Sequence, residues 1–460
     1  MRAALSEKIS KRTARVAVIG LGYVGLPLAV GFAKAGFSTL GIEISEEKVK
    51  AINEGYSHIE DVASSDLAPY VNSGRLRAVS SYEPLGECDA AFICVPTPYT
   101  VQRTPDLSYI IAATESLAAK LRAGQLVVLQ STTYPGTTTD IVRPILETRS
   151  GLSADKDYYL AFSPERIDPG NREWSAYNTP KVVGGLTPDA TALAAALLRQ
   201  MGAPVHEVSS PAAAELTKLL ENTFRAVNIA LVNEIAQLAE RMDIDIWEVI
   251  EAAETKPFGF MPFRPGPGVG GHCIPIDPYY LLWKAREYDF YTRFIELAAE
   301  TNEAMPYHVV DRLVVKALGT VGKALHGARV LVLGVAFKPN VSDPRNSPAG
   351  RIIELLQARG AEVRYHDPCV PTFQVGGNVF QKEIRSLQSQ PLTVEELERC
   401  DVAVIVTGHR SVDYTQLLDH AAVVVDTCNA TRDLVGRARV IRLGTSHLQN
   451  SKDHPMERQA

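Results

Sequence analysis

One cysteine stands in a loop rich in glycine and proline, next to an imidazole and close to a carboxylate. The run Gly270-Gly271-His272-Cys273 carries the thiol, and Asp277 follows four residues later. Nearby cationic donors lower the pKa of a thiol and so raise its thiolate fraction. A thiolate can add to an aldehyde, and loss of a hydride from the thiohemiacetal leaves a thioester that water hydrolyses to an acid. An inert packing cysteine remains the alternative, and the side chain of His272 can point away from the thiol.

A second polar pair follows helical spacing. Lys218 and Asn222 lie four residues apart in Glu215–Asn222 and therefore share one face of a predicted helix. That face can present two donors to a substrate oxygen. A solvated surface lysine is the alternative, although the alanine and leucine neighbours predict a largely buried segment.

The N-terminal part carries a dinucleotide fingerprint. Gly20, Gly22 and Gly25 form GxGxxG, with Tyr23 and Val24 inside it, directly after a predicted strand and before the helical run 26–35. In such a turn the first glycine allows the tight bend, the second lets a pyrophosphate approach the backbone, and the third lets helix and strand pack. Glu43, at the end of the next strand, favours NAD over NADP because a carboxylate accepts hydrogen bonds from ribose hydroxyls and repels a 2′-phosphate. Flavin is the rival cofactor for the same fingerprint.

Two further strand ends fall at the same predicted sheet edge. Pro96 and Thr97 end one strand, and Ser131 and Thr132 end another. Ligands of open α/β sheets bind at the carboxyl ends of the strands. We therefore expect these residues to line the nicotinamide end of the cofactor site, unless they only terminate strands.

Composition limits the class of protein. The chain has 460 residues, 46% hydrophobic and 22% charged, with a net charge of −6, which predicts a globular protein of two to four domains without a nucleic-acid-binding stripe. No signal peptide and no run of about 18 apolar residues is visible, which predicts a soluble cytoplasmic protein. The six cysteines are too scattered for a disulfide framework or a metal site. We expect Cys88, Cys94, Cys400 and Cys428 to be buried fillers.

Strand-like runs alternate with helical patterns in two separate parts of the chain. This pattern predicts an α/β protein with two Rossmann-like, doubly wound parallel sheets joined by a long central helical region. The predicted strands are 15–19, 38–42, 90–95 and 126–130, then 329–333, 362–365, 402–406 and 423–425. The predicted domains are 1–208 for NAD, 209–315 for the helices, dimerisation and the cysteine loop, 316–445 for the second Rossmann-like lobe, and 446–460 as a flexible tail.

Several motifs, taken together and in this order, resemble the UDP-glucose/GDP-mannose dehydrogenase family. They are GLGYVG (20–25), CVPTP (94–98), STTYPGT (131–137), SPER (163–166), KLLEN (218–222), GPGVGGHCIPIDP (266–278) and VLGVAFKPNVSDPRNSP (332–348). The resemblance implies a four-electron oxidation that uses two NAD in turn, with Cys273 as nucleophile. It further implies that Lys218 and Asn222 stabilise the oxyanion intermediates, and that Asp277, Thr132 and Glu165 position water and relay protons during thioester hydrolysis.

The same resemblance implies a substrate site that holds a UDP-sugar. Its expected residues are Glu165, Arg166, Lys218, Asn222, Gly270, Phe337, Lys338 and Arg345. Within the family, Lys256–Phe260 and Ile276–Tyr280 most resemble bacterial UDP-N-acetylglucosamine 6-dehydrogenases of surface-polysaccharide synthesis, including lipopolysaccharide O-antigen. UDP-N-acetylmannosamine and UDP-glucose remain open as substrates. A two-electron hydroxyacid dehydrogenase and a non-catalytic nucleotide-binding protein are the more distant alternatives, and a homodimer is the expected assembly.

Overall fold

The structure is a computed structural model that describes residues 1–59, 61–100, 102–154, 156–168, 173–175, 177–446 and the backbone of 448–450. It divides into two compact units, Met1–Glu221 with Tyr279–Tyr291, and Asn222–Pro278 with Thr292–Ala460. The predicted central region 209–315 is therefore shared between the two units.

The first unit is built on a large twisted sheet. Its strands are β1 Arg15–Ile19, β2 Ser38–Ile42, β3 Leu76–Val79, β4 Ala90–Ile93, β5 Leu126–Leu129, β6 Tyr159–Phe162, β7 Lys181–Gly185 and β8 Val205–Glu207. Among the described residues these form an eight-stranded sheet in the order β3-β2-β1-β4-β5-β6-β7-β8. Pairing is parallel throughout except between β6 and β7, which are antiparallel. The helices are α1 Arg2–Ser10, α2 Gly25–Lys34, α3 Glu46–Asn53, α4 Ser64–Asn72, α5 Ser108–Ala118, α6 Arg143–Ser150 and α7 Pro188–Arg199, with a π-helical turn at Thr137–Val142.

Both faces of this sheet are covered, as parallel sheets require. Along β1, Val16 and Val18 enter one apolar cluster, while Ala17 and Ile19 enter another. Successive strand residues point to opposite faces, so the continuous apolar run of β1 serves two cores.

Five α-helices of 6 to 32 residues follow in the described part of the chain. They are α8 Pro211–Met242, α9 Ile246–Glu254, α10 Asp277–Ala285, α11 Arg293–His308 and α12 Val315–Thr320. None of the described helices is long and apolar enough to cross a membrane.

The second unit contains the other sheet. Its remaining elements are β9 Arg329–Leu333, α13 Pro348–Ala358, β10 Glu362–His366, β11 Thr372–Val375, β12 Arg385–Gln388, α14 Val394–Arg399, β13 Val402–Ile405, α15 Tyr414–His420, β14 Val423–Asp426, β15 Arg439–Arg442 and β16 Leu448–Asn450. Over the described ranges the order is β10-β9-β13-β14-β15-β16, parallel apart from the last pair, and β11 with β12 forms a separate hairpin.

The central helices are tied to the end of the second sheet. Trp247 Nε1 donates to the carbonyl of Leu443 at 2.9 Å, and the amide of Gly444 donates to Glu240 Oε1 at 2.9 Å. These bonds place the later part of α8 and all of α9 within the second unit.

The predicted α/β class with two Rossmann-like lobes and a central helical region is confirmed. Strands 15–19, 38–42 and 329–333 match to the residue, and the others to within two residues. The sequence analysis missed β3, β6, β7 and β8, and in the second unit β11, β12, β15 and β16. The predicted tail 446–460 includes β16, which pairs with β15, while 451–460 lie outside the described residues.

Candidate active site

Each of the three glycines in the first turn has a different steric environment. Gly20 has a φ of +86°, and a Cβ there would meet the carbonyl oxygen of Cys94 at 2.7 Å. A Cβ at Gly25 would lie 1.8 Å from the carbonyl oxygen of Gly20. At Gly22, by contrast, no described protein atom lies within 4 Å of the Cβ position. Gly22 thus leaves open space at the start of α2, where backbone N–H groups and the helix dipole favour a phosphate.

Glu43 closes this turn from the neighbouring strand. The side chain is buried, Oε2 accepts a hydrogen bond from the amide of Leu21 at 3.1 Å, and Oε1 accepts one from the amide of Ser45 at 3.1 Å. A carboxylate has about four acceptor positions, so two remain for ribose hydroxyls. These residues fit a dinucleotide that lacks a 2′-phosphate.

The glycine geometry predicts opposite outcomes for two similar substitutions. Gly25→Ala is expected to destabilise the protein because its Cβ overlaps backbone, whereas Gly22→Ala is expected to keep the wild-type melting temperature and weaken NAD binding at least about tenfold. Thermal denaturation and NAD titration by fluorescence measure the two effects. Equal NAD affinity in Gly22→Ala and wild type would contradict the assignment of Gly22 to the pyrophosphate.

The ends of β4 and β5 are joined by a buried serine. Ser131 Oγ donates to the carbonyl of Val95 at 2.7 Å, so its hydroxyl hydrogen is committed to the protein. Tyr280 donates its hydroxyl hydrogen to the carbonyl of Thr97, close to Pro96. Thr132, next to Ser131, is half-buried. The predicted strand-end residues therefore lie side by side, since β4 and β5 are adjacent and parallel.

Glu165 is the centre of a buried polar network in the first unit. Its Oε2 accepts from Gln130 Nε2 at 2.9 Å, and its Oε1 accepts from the amides of Arg166 at 2.8 Å and Ile167 at 3.1 Å. Lys181 Nζ lies 3.4 Å and 3.3 Å from the two carboxylate oxygens. Both Glu165 and Lys181 are buried. The sequence analysis missed Lys181 and Gln130.

Arg166 is held by protein groups on several sides. Its guanidinium forms an ion pair with Glu221, with Nη2 at 2.6 Å from Oε1 and Nε at 3.3 Å from Oε2, and Nη1 donates to the carbonyl of Pro180 at 2.7 Å. The SPER and KLLEN motifs thus contact each other directly. Arg166 was expected to bind substrate, but in this structure it links β6 to α8.

The buried polar residues of α8 include Glu215, Lys218 and Asn222. Glu215 accepts hydrogen bonds from the amides of Gly136 at 2.6 Å and Thr138 at 2.9 Å and from the Thr138 hydroxyl at 2.7 Å. Burial raises the pKa of Glu215, and these donors act in the opposite direction. Glu215 therefore ties the start of α8 to the STTYPGT loop, and Lys218 follows one turn later on the same face. Lys218 is only 8% exposed, so the surface-lysine alternative is wrong.

Cys273 lies at the start of a turn that leads into α10. The amides of Ile276 and Asp277 donate to the carbonyl of Cys273 at 2.9 Å and 2.8 Å. Asn222 Nδ2 in turn donates to Asp277 Oδ2. Asp277 is therefore bonded both to the backbone of the half-buried Cys273 and to the side chain of the buried Asn222.

The glycines of the thiol loop pack closely against the loop after β9. A Cβ at Gly270 would meet Phe337 Cβ at 2.9 Å, and a Cβ at Gly271, whose φ is +87°, would meet the Phe337 ring at 3.1 Å. The amide of Gly271 donates to the carbonyl of Arg345 at 2.9 Å, and Asn346 Nδ2 donates to the carbonyl of Gly271 at 3.0 Å. The resemblance implies that Gly270 belongs to the substrate site. In the structure Gly270 and Gly271 admit a second protein loop, which carries Phe337, Lys338 and Arg345.

Family models match three successive parts of the chain. They are the NAD binding domain of the UDP-glucose/GDP-mannose dehydrogenase family at residues 14–202, its central domain at 212–304 and its UDP binding domain at 331–433. The chain belongs to the UDP-glucose/GDP-mannose dehydrogenase family. The predicted resemblance is confirmed, as is the prediction of an NAD-dependent nucleotide-sugar dehydrogenase. At this level the protein is an NAD-dependent UDP-sugar 6-dehydrogenase.

Individual relatives of this dehydrogenase differ in their named sugars. UDP-N-acetyl-D-glucosamine 6-dehydrogenase of Pseudomonas aeruginosa is 40% identical over 77% of this chain and 83% of its own length. UDP-N-acetyl-D-mannosamine dehydrogenase of Pyrococcus horikoshii is 40% identical over 77% of this chain and 84% of its own. The solved structure of the Pyrococcus horikoshii UDP-D-ManNAc dehydrogenase superposes with a TM-score of 0.83 at 34% identity, over 94% of this chain and 99% of that one.

In the UDP-binding part of this dehydrogenase, Arg345 is paired within its own loop. Its guanidinium donates to both oxygens of Asp343, at 2.6 Å to 3.0 Å. Burial acts to raise the pKa of Asp343, but the hydrogen bonds of Arg345 and the nearby His272 bring that pKa below its ordinary value. Lys338 Nζ lies 5.8 Å from the centre of the Phe337 ring. Lys338 and Arg345 are thus cationic groups on the loop that packs against Gly270 and Gly271.

Burial disfavours the thiolate at four of the other cysteines of this dehydrogenase. Burial raises the pKa of Cys88 to about 11 and of Cys400 to about 12, and it also raises the pKa of Cys94 and Cys428. Cys369 is half-buried, with Sγ 3.9 Å from His409 Nδ1, and His409 Nε2 lies 3.1 Å from Asp367 Oδ2. The amide of Asn340 also donates to His409 Nδ1 at 3.1 Å, so the imidazole is already engaged on both nitrogens.

Proposed function

We propose that the protein oxidises the C6 alcohol of UDP-N-acetylglucosamine to the carboxylate, using two molecules of NAD. The observation that carries the chemistry is the turn from Cys273 to Asp277, with Asp277 hydrogen-bonded to Asn222. The choice of sugar is supported by the runs Lys256–Phe260 and Ile276–Tyr280 and by the 40% identity to the Pseudomonas aeruginosa enzyme. Equal identity to a UDP-N-acetyl-D-mannosamine dehydrogenase makes that sugar the second candidate.

The proposed mechanism proceeds through two covalent species on one sulfur. NAD, when bound, accepts one hydride in each of the two oxidations. The thiolate of Cys273 adds to the C6 aldehyde to form a thiohemiacetal, whose oxidation leaves a thioester. Attack of water on the thioester carbonyl breaks the C6–Sγ bond and releases the acid and the thiol. The covalent bond keeps the reactive aldehyde on the protein between the two oxidations.

We assign separate roles in this mechanism to the other polar groups. The ammonium of Lys218 and the amide of Asn222 stabilise negative charge on the C6 oxygen. Asn222 Nδ2 carries two hydrogens, so one remains available after the bond to Asp277. Asp277, Thr132 and Glu165 hold and deprotonate the water that attacks the thioester. Phe337, Lys338 and Arg345 bind the uridine diphosphate, and Gly270 contributes backbone next to them.

A homodimer is part of the proposal. The exposed face of α8 carries an apolar stripe at Phe224, Leu231, Ile235, Leu238 and Met242. Spacings of three, four and seven residues place them along one side of the helix. Such a stripe on a protein surface is characteristic of subunit contacts, and the same face of a second copy would cover it symmetrically.

A panel of nucleotide sugars tests the substrate. We expect NADH absorbance to rise with UDP-N-acetylglucosamine, with two NADH formed per sugar consumed and an N-acetylglucosaminuronate product. UDP-N-acetylmannosamine, UDP-N-acetylgalactosamine, UDP-glucose and GDP-mannose complete the panel. Turnover of UDP-N-acetylmannosamine alone would replace the first candidate by the second. One NADH per sugar with an accumulating aldehyde would contradict the four-electron mechanism.

We also propose a role in surface polysaccharide synthesis, including O-antigen. This role depends on UDP-N-acetylglucosamine being the substrate.

A further inference from the structure

We propose that Lys181 is a positioning residue for thioester hydrolysis: it holds the Glu165 carboxylate in one orientation, so that Glu165 can direct the attacking water. The proposal rests on the function proposed above, in which Glu165 acts in the hydrolytic step. It adds a residue that none of the recognised motifs contains, because Lys181 lies fifteen residues beyond SPER.

The fold gives a reason for this pairing. Strand β7 runs antiparallel to β6, with Ala161 opposite Gly185 and Phe162 opposite Gly184. Continuing that register by three residues places Lys181 opposite Glu165. The one antiparallel neighbour in this part of the described sheet therefore brings the first residue of β7 to the carboxyl edge of β6. Ligands bind at that edge in parallel α/β sheets.

Lys181 and Glu165 are buried against each other. Lys181 is 1% exposed and Glu165 is 7% exposed, and the ammonium lies within 3.4 Å of both carboxylate oxygens. A buried ammonium without a partner is costly, and so is a buried carboxylate. Each therefore requires the other.

Counting acceptor positions leaves Glu165 with little freedom. An ionised carboxylate offers about four lone-pair positions. Gln130 Nε2 and the amides of Arg166 and Ile167 occupy three of them. With Lys181 across both oxygens, the carboxylate plane cannot rotate without losing several bonds. Lys181 Nζ is the second donor to Oε2, so loss of the ammonium would leave Gln130 as the one described donor to that oxygen.

Loss of the Lys181 ammonium should slow the hydrolysis of the thioester more than any other step. Hydrolysis forms a bond from the water oxygen to C6, breaks the C6–Sγ bond, returns the thiol of Cys273 and releases one proton. Without the ammonium, Glu165 Oε2 would lose one of its two described donors, and the carboxylate could rotate out of the orientation that directs the water. The steps before the thioester do not use this water, so they should continue.

The experiment compares Lys181→Met, Lys181→Gln and Lys181→Arg with wild type, using the sugar that wild type oxidises. In Lys181→Met and Lys181→Gln we expect a rapid burst of two NADH per subunit, followed by steady-state turnover slower by at least about tenfold. Intact-mass measurement of quenched enzyme should show the acyl adduct on Cys273. Hydroxylamine should restore turnover and yield the hydroxamate, because it attacks a thioester without needing a positioned water. Lys181→Arg, which keeps the charge, should recover part of the steady-state rate.

Two results would overturn the proposal. One is a wild-type steady-state rate in Lys181→Met or Lys181→Gln. The other is slow turnover in a variant that retains the wild-type melting temperature and NAD affinity but shows neither adduct nor hydroxylamine recovery. Lys181→Gln serves if Lys181→Met does not fold, since its amide can still donate to Glu165. Failure of the proposed function is separate, because wild type itself would then form one NADH per sugar.

Discussion

Replacing Cys273 by serine is expected to abolish acid formation, with kcat reduced by at least about 10³-fold, while NAD and UDP-sugar bind with nearly wild-type affinity. A serine hydroxyl is a far weaker nucleophile than a thiolate at neutral pH and would not trap the C6 aldehyde efficiently. Binding should persist because the loop around Cys273 is fixed by backbone contacts. The amides of Ile276 and Asp277 bond its carbonyl, and Gly271 is bonded to Arg345 and Asn346. Stopped-flow NADH formation, product analysis and calorimetric titration measure these quantities.

Cys369→Ser is the matched control for this substitution. Cys369 is half-buried like Cys273, and its sulfur lies near His409. We expect wild-type kinetics for it. Full acid formation by Cys273→Ser would rule out the thioester mechanism and would favour two successive oxidations of a free or hydrated aldehyde.

Replacing Lys218 by methionine is expected to lower kcat by about 10² to 10³-fold with little change in the Michaelis constant for the sugar. The ammonium is proposed to act on charge that develops at the C6 oxygen, and an interaction made mainly in the transition state appears in kcat. Methionine is close to lysine in length and suits a buried position, so the fold should be preserved. Steady-state kinetics measure kcat and the Michaelis constant of Lys218→Met, and a melting curve shows whether the variant has lost stability.

An exposed cation on the same helix provides the control. Arg225 lies seven residues after Lys218 and is exposed. Arg225→Met removes the same charge from α8, so a general electrostatic effect of the helix would appear in both variants. A rise in the Michaelis constant at unchanged kcat in Lys218→Met would instead assign Lys218 to ground-state binding of the substrate.

Much of the first lobe could be predicted from local sequence. The glycines at 20, 22 and 25 have their roles within a turn of six residues, and the φ of Gly20 and the contact of Gly25 agree with those roles. Glu43 could be assigned because it ends the strand after the fingerprint, and it bonds the amide of Leu21 in that turn. Parallel strands buried on both faces also have long apolar runs, which made β1, β2 and β9 easy to delimit.

The missed strands lacked such runs. Strand β7 ends in Gly184 and Gly185, which weaken a strand pattern. Contacts with distant parts of the chain require glycine at both positions. A Cβ at Gly184 would lie 2.0 Å from the carbonyl oxygen of Ser210, and one at Gly185 would lie 2.4 Å from the amide nitrogen of Thr191. Strand β3, with four residues and exposed Arg77, offered too short a pattern.

The sequence by itself determined the chemistry available to this protein: a thiol in a glycine loop, a dinucleotide turn, and a lysine and an amide one helical turn apart. Those signals depend on spacings of a few residues, which the local backbone geometry of turns and helices fixes. Only the tertiary structure decided which side chains are committed to one another. It pairs Arg166 with Glu221 and Glu165 with Lys181, and it packs Gly270 and Gly271 against Phe337. Such contacts join residues that the chain brings together only through strand order and helix packing, and no local pattern encodes them.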